Sequence, residues 1–190
     1  MQELRNRREQ VIDLEELAQH HGSSYGTLGR LVQPSQEQFE NNLALQLNGM
    51  QADRRIWVED ESLNIGKRMV PRSLWNAMQE AVLFDVQVPV EFRVAYLAKE
   101  YGSLNPDFLV ECTERIWKRL GPEQTKRAVV AIREGRMEDF VREVLVYYDK
   151  TYRTGLKGRD MNRVVVVPVK DGVVERNAEL VLAAAEGVGV

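Results

Sequence analysis

The chain is poor in the residues that build metal and redox centres. It has one cysteine, Cys112, and two histidines, His20 and His21, in 190 residues. A lone cysteine excludes an internal disulfide and every zinc pattern built on paired thiols. The two histidines are neighbours in sequence, so their side chains leave the backbone in different directions and make no ligand pair. Long apolar runs are missing too. No stretch reaches the roughly 18 residues a membrane helix needs, which leaves membranes outside the expected partners. The opening MQELRNRREQ is charged rather than apolar, unlike a secretion signal, so the expected localisation is cytoplasmic. Strong charge of one sign is also absent. The formal net charge is -3, so no global basic field points to nucleic acid. A local basic patch on a near-neutral protein is still enough to hold RNA.

What is present reads as one globular domain. Hydrophobic residues make up 44% and charged residues 29% of the chain, an ordinary balance for a domain with a buried core. Residues 1–9 read as the last turns of a helix, 10–13 as a short buried strand ending in an acid, and 14–19 as a helical turn. From His20 to Gly29 the chain carries Gly22, Gly26 and Gly29, the mark of a loop that turns sharply or approaches something closely. Ser35 is a candidate N-cap, and Gln38 three residues on would complete a capping box before Phe39, Leu43 and Leu47 at helical spacing. Strands are expected at 55–59, 82–86 and 163–169, with Pro168 near a strand end because it cannot donate to a ladder. Helices are expected at 71–81, 92–101, 106–120, 122–134, 136–150 and 177–186. Pro106 and Pro122 stand near helix starts, and Gly121 and Gly135 at stops. The alternation predicts an α/β fold: a mainly parallel sheet with helices on both faces and a helical insertion at about 104–150. Cys112 sits among apolar residues at helical spacing and reads as a core thiol.

In open α/β sheets ligands bind beyond the carboxyl ends of the strands. Asp13, Glu59, Asp60 and Glu61 fall at such ends. Acids there orient a nucleophile, move a proton or hold Mg2+ through water; they also cap the next helix. Glu59, Asp60 and Glu61 together are the candidate catalytic group. Gly22, Ser23, Ser24 and Gly26 can offer backbone N–H groups to an anion, or make a tight turn. Basic and aromatic residues alternate from Tyr147 to Arg153, followed by Lys157 and Arg159, a pattern that stacks bases and grips phosphates, or ends a helix with dipole-matching cations.

These pieces resemble the C-terminal P-loop-type domain of tRNA 2-selenouridine synthases. The residues carrying the resemblance are Val11-Ile-Asp-Leu-Glu-Glu-Leu-Ala18, His20 with Gly22-Ser-Ser-Tyr-Gly26, Gln33-Pro-Ser-Gln36 with Phe39-Glu40, Trp57-Val-Glu-Asp-Glu-Ser62 with Ile65-Gly66, and Tyr147-Tyr-Asp149 with Tyr152. The resemblance implies a P-loop NTPase-like fold and a transferase. Such an enzyme converts wobble 2-thiouridine of tRNA to 2-selenouridine, by geranyl transfer from geranyl diphosphate and then selenium exchange from selenophosphate. It implies anion contacts at Gly22, Ser23, Ser24 and Gly26, substrate positioning by Gln33, Ser35 and Gln36, and a phosphate contact at Arg93. It further implies acid, base or Mg2+ roles for Glu59, Asp60 and Glu61, and RNA contacts at Tyr148, Asp149, Tyr152 and Arg153. The family's glycine-rich phosphate loop, first strand and rhodanese domain with its cysteine have no counterpart here, and His20-His21 stands where the family has His-Arg. The expectation is therefore a partial domain that does not turn over alone. Its alternatives are a non-catalytic interaction module and one half of a split gene, completed by a separate rhodanese or P-loop chain. A nucleotide-binding kinase-like or ATPase remnant would need the loop that is missing.

Overall fold

A computed structural model describes residues 1–189. In chain order, α1 (Gln2–Asn6) leads to β1 (Gln10–Ile12) and α2 (Leu14–Ala18); the glycine-rich loop then leads to α3 (Gln36–Asn48). Next come β2 (Ile56–Val58), a hairpin of β3 (Asn64–Ile65) and β4 (Arg68–Met69), α4 (Arg72–Glu80) and β5 (Leu83–Gln87). Five helices follow: α5 (Val90–Gly102), α6 (Pro106–Arg115), α7 (Trp117–Leu120), α8 (Pro122–Arg133) and α9 (Met137–Leu156). The chain returns through β6 (Val164–Pro168) to α10 (Val174–Gly187). Among the described residues no helix is long and apolar enough to cross a membrane.

The fold is α/β with parallel pairing. β1 runs parallel to β2, with Val11 opposite Trp57 and Ile12 opposite Val58. β5 runs parallel to β6, and Pro168 closes that strand, as its missing N–H requires. The Trp57 and Phe84 rings, 5.2 Å apart, link β2 to β5. Neighbouring strand residues point to opposite faces, and β1 uses both. Ile12 enters a core with Leu14, Phe39, Leu43, Ile65 and Val70. Val11 packs with Leu4 and Ala178, flanked by Trp57 and Leu182. Helices therefore cover both faces of β1, and its apolar residues need no alternation.

The chain forms two compact units. One is Met1–Gln87 together with the segment from Arg163; the other is Val88–Asn162, which carries α5 to α9. In the helical unit α9 packs against α5 and α8, and α8 against α6. Tyr101 meets Phe140 with ring centroids 5.9 Å apart. Cys112 is fully buried, and burial pushes its thiol pKa up, so it is a core residue as expected.

Several boundaries differ from the expectation. The helix expected over 106–120 is broken at Ile116. Just before the break the Thr113 hydroxyl donates to the Leu109 carbonyl at 2.7 Å, a contact that bends helices. The helix expected to stop at 150 continues to Leu156. There the hydroxyls of Thr151 and Thr154 bond back to the Tyr147 and Lys150 carbonyls. α5 starts at Val90 and α10 at Val174, earlier than their apolar patterns suggest. The β3–β4 hairpin was not expected, because two residues per strand leave no periodicity to read.

Candidate functional site: a carboxyl cluster beneath the glycine-rich loop

The site sits at the carboxyl ends of β1 and β2. Asp13 leaves β1 and caps α2, its side chain accepting from the Glu16 N–H at 2.9 Å. Glu59 leaves β2 and reaches the same helix start: its Oε1 accepts from the Glu15 N–H at 2.7 Å. The capping and functional readings of these acids thus meet in one place. Glu59 Oε2 is buried with no hydrogen-bond partner. The chain then turns tightly, with the Glu61 N–H donating to the Glu59 carbonyl at 2.8 Å. That turn brings the Glu61 carboxyl beside the carboxyl of Glu15, both of them at the Gly22 corner. Two buried carboxyls held side by side repel as anions, which favours a proton on one of them.

Burial and mutual repulsion act on Glu15, Glu59 and Glu61 alike. Burial pushes Glu59 up to about 7, partly offset by the bond from Glu15 N–H and reinforced by the charges of Asp13 and Glu61. Burial likewise raises both members of the pair. At Glu61 the charge of Glu15 adds to the rise. At Glu15 the charges of Glu59 and Asp13 add to it. Asp60 is exposed.

The glycine-rich loop lies directly on this cluster. Gly22 has φ +57°, and a β-carbon there would fall 2.3 Å from Glu61 Oε1 and 2.8 Å from Glu15 Oε1. At that left-handed φ a side chain above the pair would be strained and would push the two carboxyls aside. Gly26 plays the same part for His20: a β-carbon would meet the imidazole at 2.4 Å. His20 is buried with Nδ1 unpartnered. Its pKa is lowered by burial and by neighbouring His21, so the ring is neutral near pH 7. His21 Nδ1 lies 3.6 Å from Glu15 Oε2. Several loop N–H groups close on the loop itself: His21 to the Gly26 carbonyl, Gly26 to the Ser23 carbonyl, Tyr25 to Ser23 Oγ. The loop is thus a folded cover over carboxyls rather than an open ring of donors.

The polar residues after the loop hold the β3–β4 hairpin. Gln33 donates to the Ala18 and Ile65 carbonyls at 3.1 and 2.9 Å and accepts from Lys67 N–H at 2.7 Å. Gln36 donates to the Met69 carbonyl at 2.7 Å and accepts from Met69 N–H at 2.9 Å. Ser35 caps α3 by accepting from Gln38 N–H at 3.1 Å. The Gln38 amide turns instead to Asn42, so the capping box closes in one direction only.

The remaining candidates lie in the helical unit. Arg93 holds Asp149 through two parallel bonds, Nη1 to Oδ1 at 2.7 Å and Nη2 to Oδ2 at 2.9 Å. The hydrogen bond from Arg93 lowers the Asp149 pKa, with a smaller contribution from the charge of Arg153. Tyr148 stacks at a tilt on Tyr147, 5.0 Å between centroids. Tyr152 is 66% exposed, and Arg153 is exposed as well.

The residues gathered at the strand ends can bind and release a proton near neutral pH. Among the described residues no group of three or more His, Cys, Asp or Glu is placed to hold a metal ion. Sequence reasoning did not single out Glu15 or His20 as site residues. The available signal for Glu15 was its place in the first turn of a helix beginning right after a strand.

The comparisons with known proteins agree on one family. The family model of the tRNA 2-selenouridine synthase AAA domain matches residues 2–179. Among curated relatives, the tRNA 2-selenouridine synthase of Shewanella frigidimarina is 39% identical over 101 residues, 52% of this chain and 27% of the relative. That of Shewanella sediminis is 43% identical over 96 residues, 50% of this chain and 26% of the relative. That of Marinobacter nauticus is 36% identical over 137 residues, 61% of this chain and 36% of the relative. The chain thus spans roughly a quarter to a third of the curated relatives it matches. No solved structure matches. With the family model covering nearly the whole chain, this protein belongs to the family of the tRNA 2-selenouridine synthase AAA domain.

Proposed function

We propose that the chain is the part of a tRNA-modifying transferase that binds tRNA and a diphosphate substrate while wobble 2-thiouridine becomes 2-selenouridine. The family match supports the substrate class, and the carboxyl cluster under the Gly22 corner supports the chemistry. In the first step the thiouridine sulfur attacks C1 of geranyl diphosphate; the C–O bond breaks and diphosphate leaves. The uracil N3–H then becomes acidic and its proton must go to a base. A carboxyl with a pKa near 7 is matched to that task, and Glu59, with its buried unpartnered Oε2, is the group assigned to it. Glu61 and Glu15 stand as a pair at the Gly22 corner, and Asp60 faces the solvent. In the second step the selenium of selenophosphate attacks C2 of the base, the C2–S bond breaks and geranylthiol leaves, and water cleaves the P–Se bond to release phosphate. In this reading Gln33, Ser35 and Gln36 position substrate through the hairpin and helix they hold. Ser23 and Ser24, with Gly22 and Gly26, form the cover that meets the diphosphate. Arg93, held by Asp149, stands for the phosphate contact, and Tyr148, Asp149, Tyr152 and Arg153 meet RNA.

The test is fluorescence anisotropy of labelled tRNA carrying wobble 2-thiouridine, against an unrelated RNA of equal length, with geranyl diphosphate added in a parallel melting experiment. The expected result is preferential tRNA binding that weakens steeply with salt, and a melting temperature raised by geranyl diphosphate. Equal affinity for both RNAs and no thermal shift would overturn the proposal.

A further inference from the structure

We infer that the exposed end of α9 tracks the phosphodiester backbone of RNA through a stripe formed by Lys150, Arg153 and Lys157. The inference rests on the reading that the chain binds tRNA and adds the surface and the mode of contact. Past the half-buried Tyr147, Tyr148 and Asp149, residues 150–155 of α9 are all exposed, so about 9 Å of the helix runs on beyond those contacts. Residues 150, 153 and 157 are spaced i, i+3, i+7 and lie on one face. The span from the first to the third is about 10 Å.

Lack of an ion pair sets this stripe apart from most arginines of the same unit, and its spacing along one helix face sets it apart from the scattered lysines Lys99, Lys118 and Lys126, which make no ion pair either among the described residues. Arg93, Arg127, Arg133, Arg136 and Arg142 each meet a carboxylate within hydrogen-bond distance. Between Asp149 and Asp160 the sequence has no acid, and among the described residues Lys150, Arg153 and Lys157 make no ion pair. The one acid beside the stripe, Asp149, is held by Arg93, which leaves Arg153 free to turn outward. Compensation of the helix dipole accounts for cations in the last turn. It does not account for Lys150, nearly two turns earlier, or for Tyr152, 66% exposed on the flank. An extended polyanion complements three unpaired cations in a row, and an exposed aromatic beside them offers a stacking face to a base. Cations that contact phosphates read no sequence, so the stripe acts on thiolated and unmodified tRNA alike.

The experiment compares the wild-type chain with the triple variant K150Q/R153Q/K157Q and with K99Q/K118Q/K126Q, which removes the same charge elsewhere in the helical unit. Anisotropy is measured on thiolated tRNA, unmodified tRNA and phosphatidylglycerol vesicles across a salt series, with a melting curve for each variant. Each lost phosphate contact lowers the log–log salt slope by about 0.7 to 0.9. The stripe variant is expected to lose about 2 or more from its slope, so a fourfold rise in salt weakens the wild type roughly 16-fold more than the variant. The control variant is expected to keep the wild-type slope, and both variants the wild-type melting temperature. Tight tRNA binding with an unchanged slope in the stripe variant overturns this inference and leaves the proposed function standing. No binding of any RNA by the wild type overturns both. Equal slope loss in the control, a loss confined to thiolated tRNA, or a loss seen only on vesicles also overturns the stripe.

Discussion

Replacing Glu59 by glutamine should make the protein more stable at pH 8 and leave it nearly unchanged at pH 5. The folded chain holds the Glu59 proton up to about 7, whereas the unfolded side chain loses it near 4.5. Between those values the folded state carries more protons than the unfolded state, so this contribution is complete below 4.5 and is lost as the pH rises to about 7. At about 1.36 kcal/mol per pH unit, the rise corresponds to a ceiling of about 3.4 kcal/mol. Solvent screening at a partly accessible group reduces this to about 1.5–3 kcal/mol. The amide of Glu59→Gln would mimic the protonated acid at every pH and still accept from the Glu15 N–H. Other groups slope differently: burial lowers His20 and favours the folded state at higher pH, and Asp149 and Glu9 favour it above the acid range. The readout is therefore the difference between variant and wild type, in which these cancel. Urea unfolding would be followed by tryptophan fluorescence from pH 5 to 8 in a Trp117→Phe background, so that the signal comes from Trp57 and Trp75. A gap that does not widen with pH, or a variant less stable than wild type at pH 8, would refute the account of a carboxyl held protonated by burial.

Two further outcomes follow from the same geometry. Gly22→Ala puts a β-carbon on a residue with φ +57° and within 2.3 Å of Glu61 Oε1. A left-handed backbone costs an L-residue about 1–2 kcal/mol, so a loss of at least that size is expected in urea unfolding, with part of the pH dependence disappearing as Glu15 and Glu61 separate. Asp149→Asn leaves Arg93 with half its partner and should cost about 1–3 kcal/mol. Because Arg93 lowers the Asp149 pKa, the wild-type advantage is present above pH 3.8 and is lost as the pH falls through the folded value. Melting temperatures of both proteins should converge in acid, and parallel curves would refute the pairing.

The alternation of strands and helices was legible because each strand is an apolar run between helical periods, and β1, β2, β5 and β6 carry those runs. The β3–β4 hairpin was not: its stability comes from Gln33 and Gln36 bonding to hairpin backbone more than thirty residues away, and amide side chains carry no periodic signature. The break at Ile116 was equally silent, since no glycine or proline stands there. In the same way Ser35 was readable as a cap because capping is local, while the partner of Gln38 depended on which of two nearby amides won.

The site divides along the same line between local and distant contacts. Acids at strand ends were visible from the order of elements alone, which is why Asp13, Glu59 and Glu61 stood out. Their mutual environment was not, because Glu15 and Glu61 are separated by the whole of α3 and β2 and meet only when β1 pairs with β2. The glycines illustrate the difference in a single loop. A glycine-rich stretch is consistent with a cradle for anions, but the strand pairing sets two carboxyls beneath Gly22, and a carboxylate pair repels a diphosphate at that corner. The loop can meet an anion only while the carboxyls beneath it hold their protons. Accepting a proton at Glu59 needs the carboxylate, whereas an anion at Gly22 needs the acids beneath it protonated, so the two conditions oppose each other and balance only near a pH of about 7.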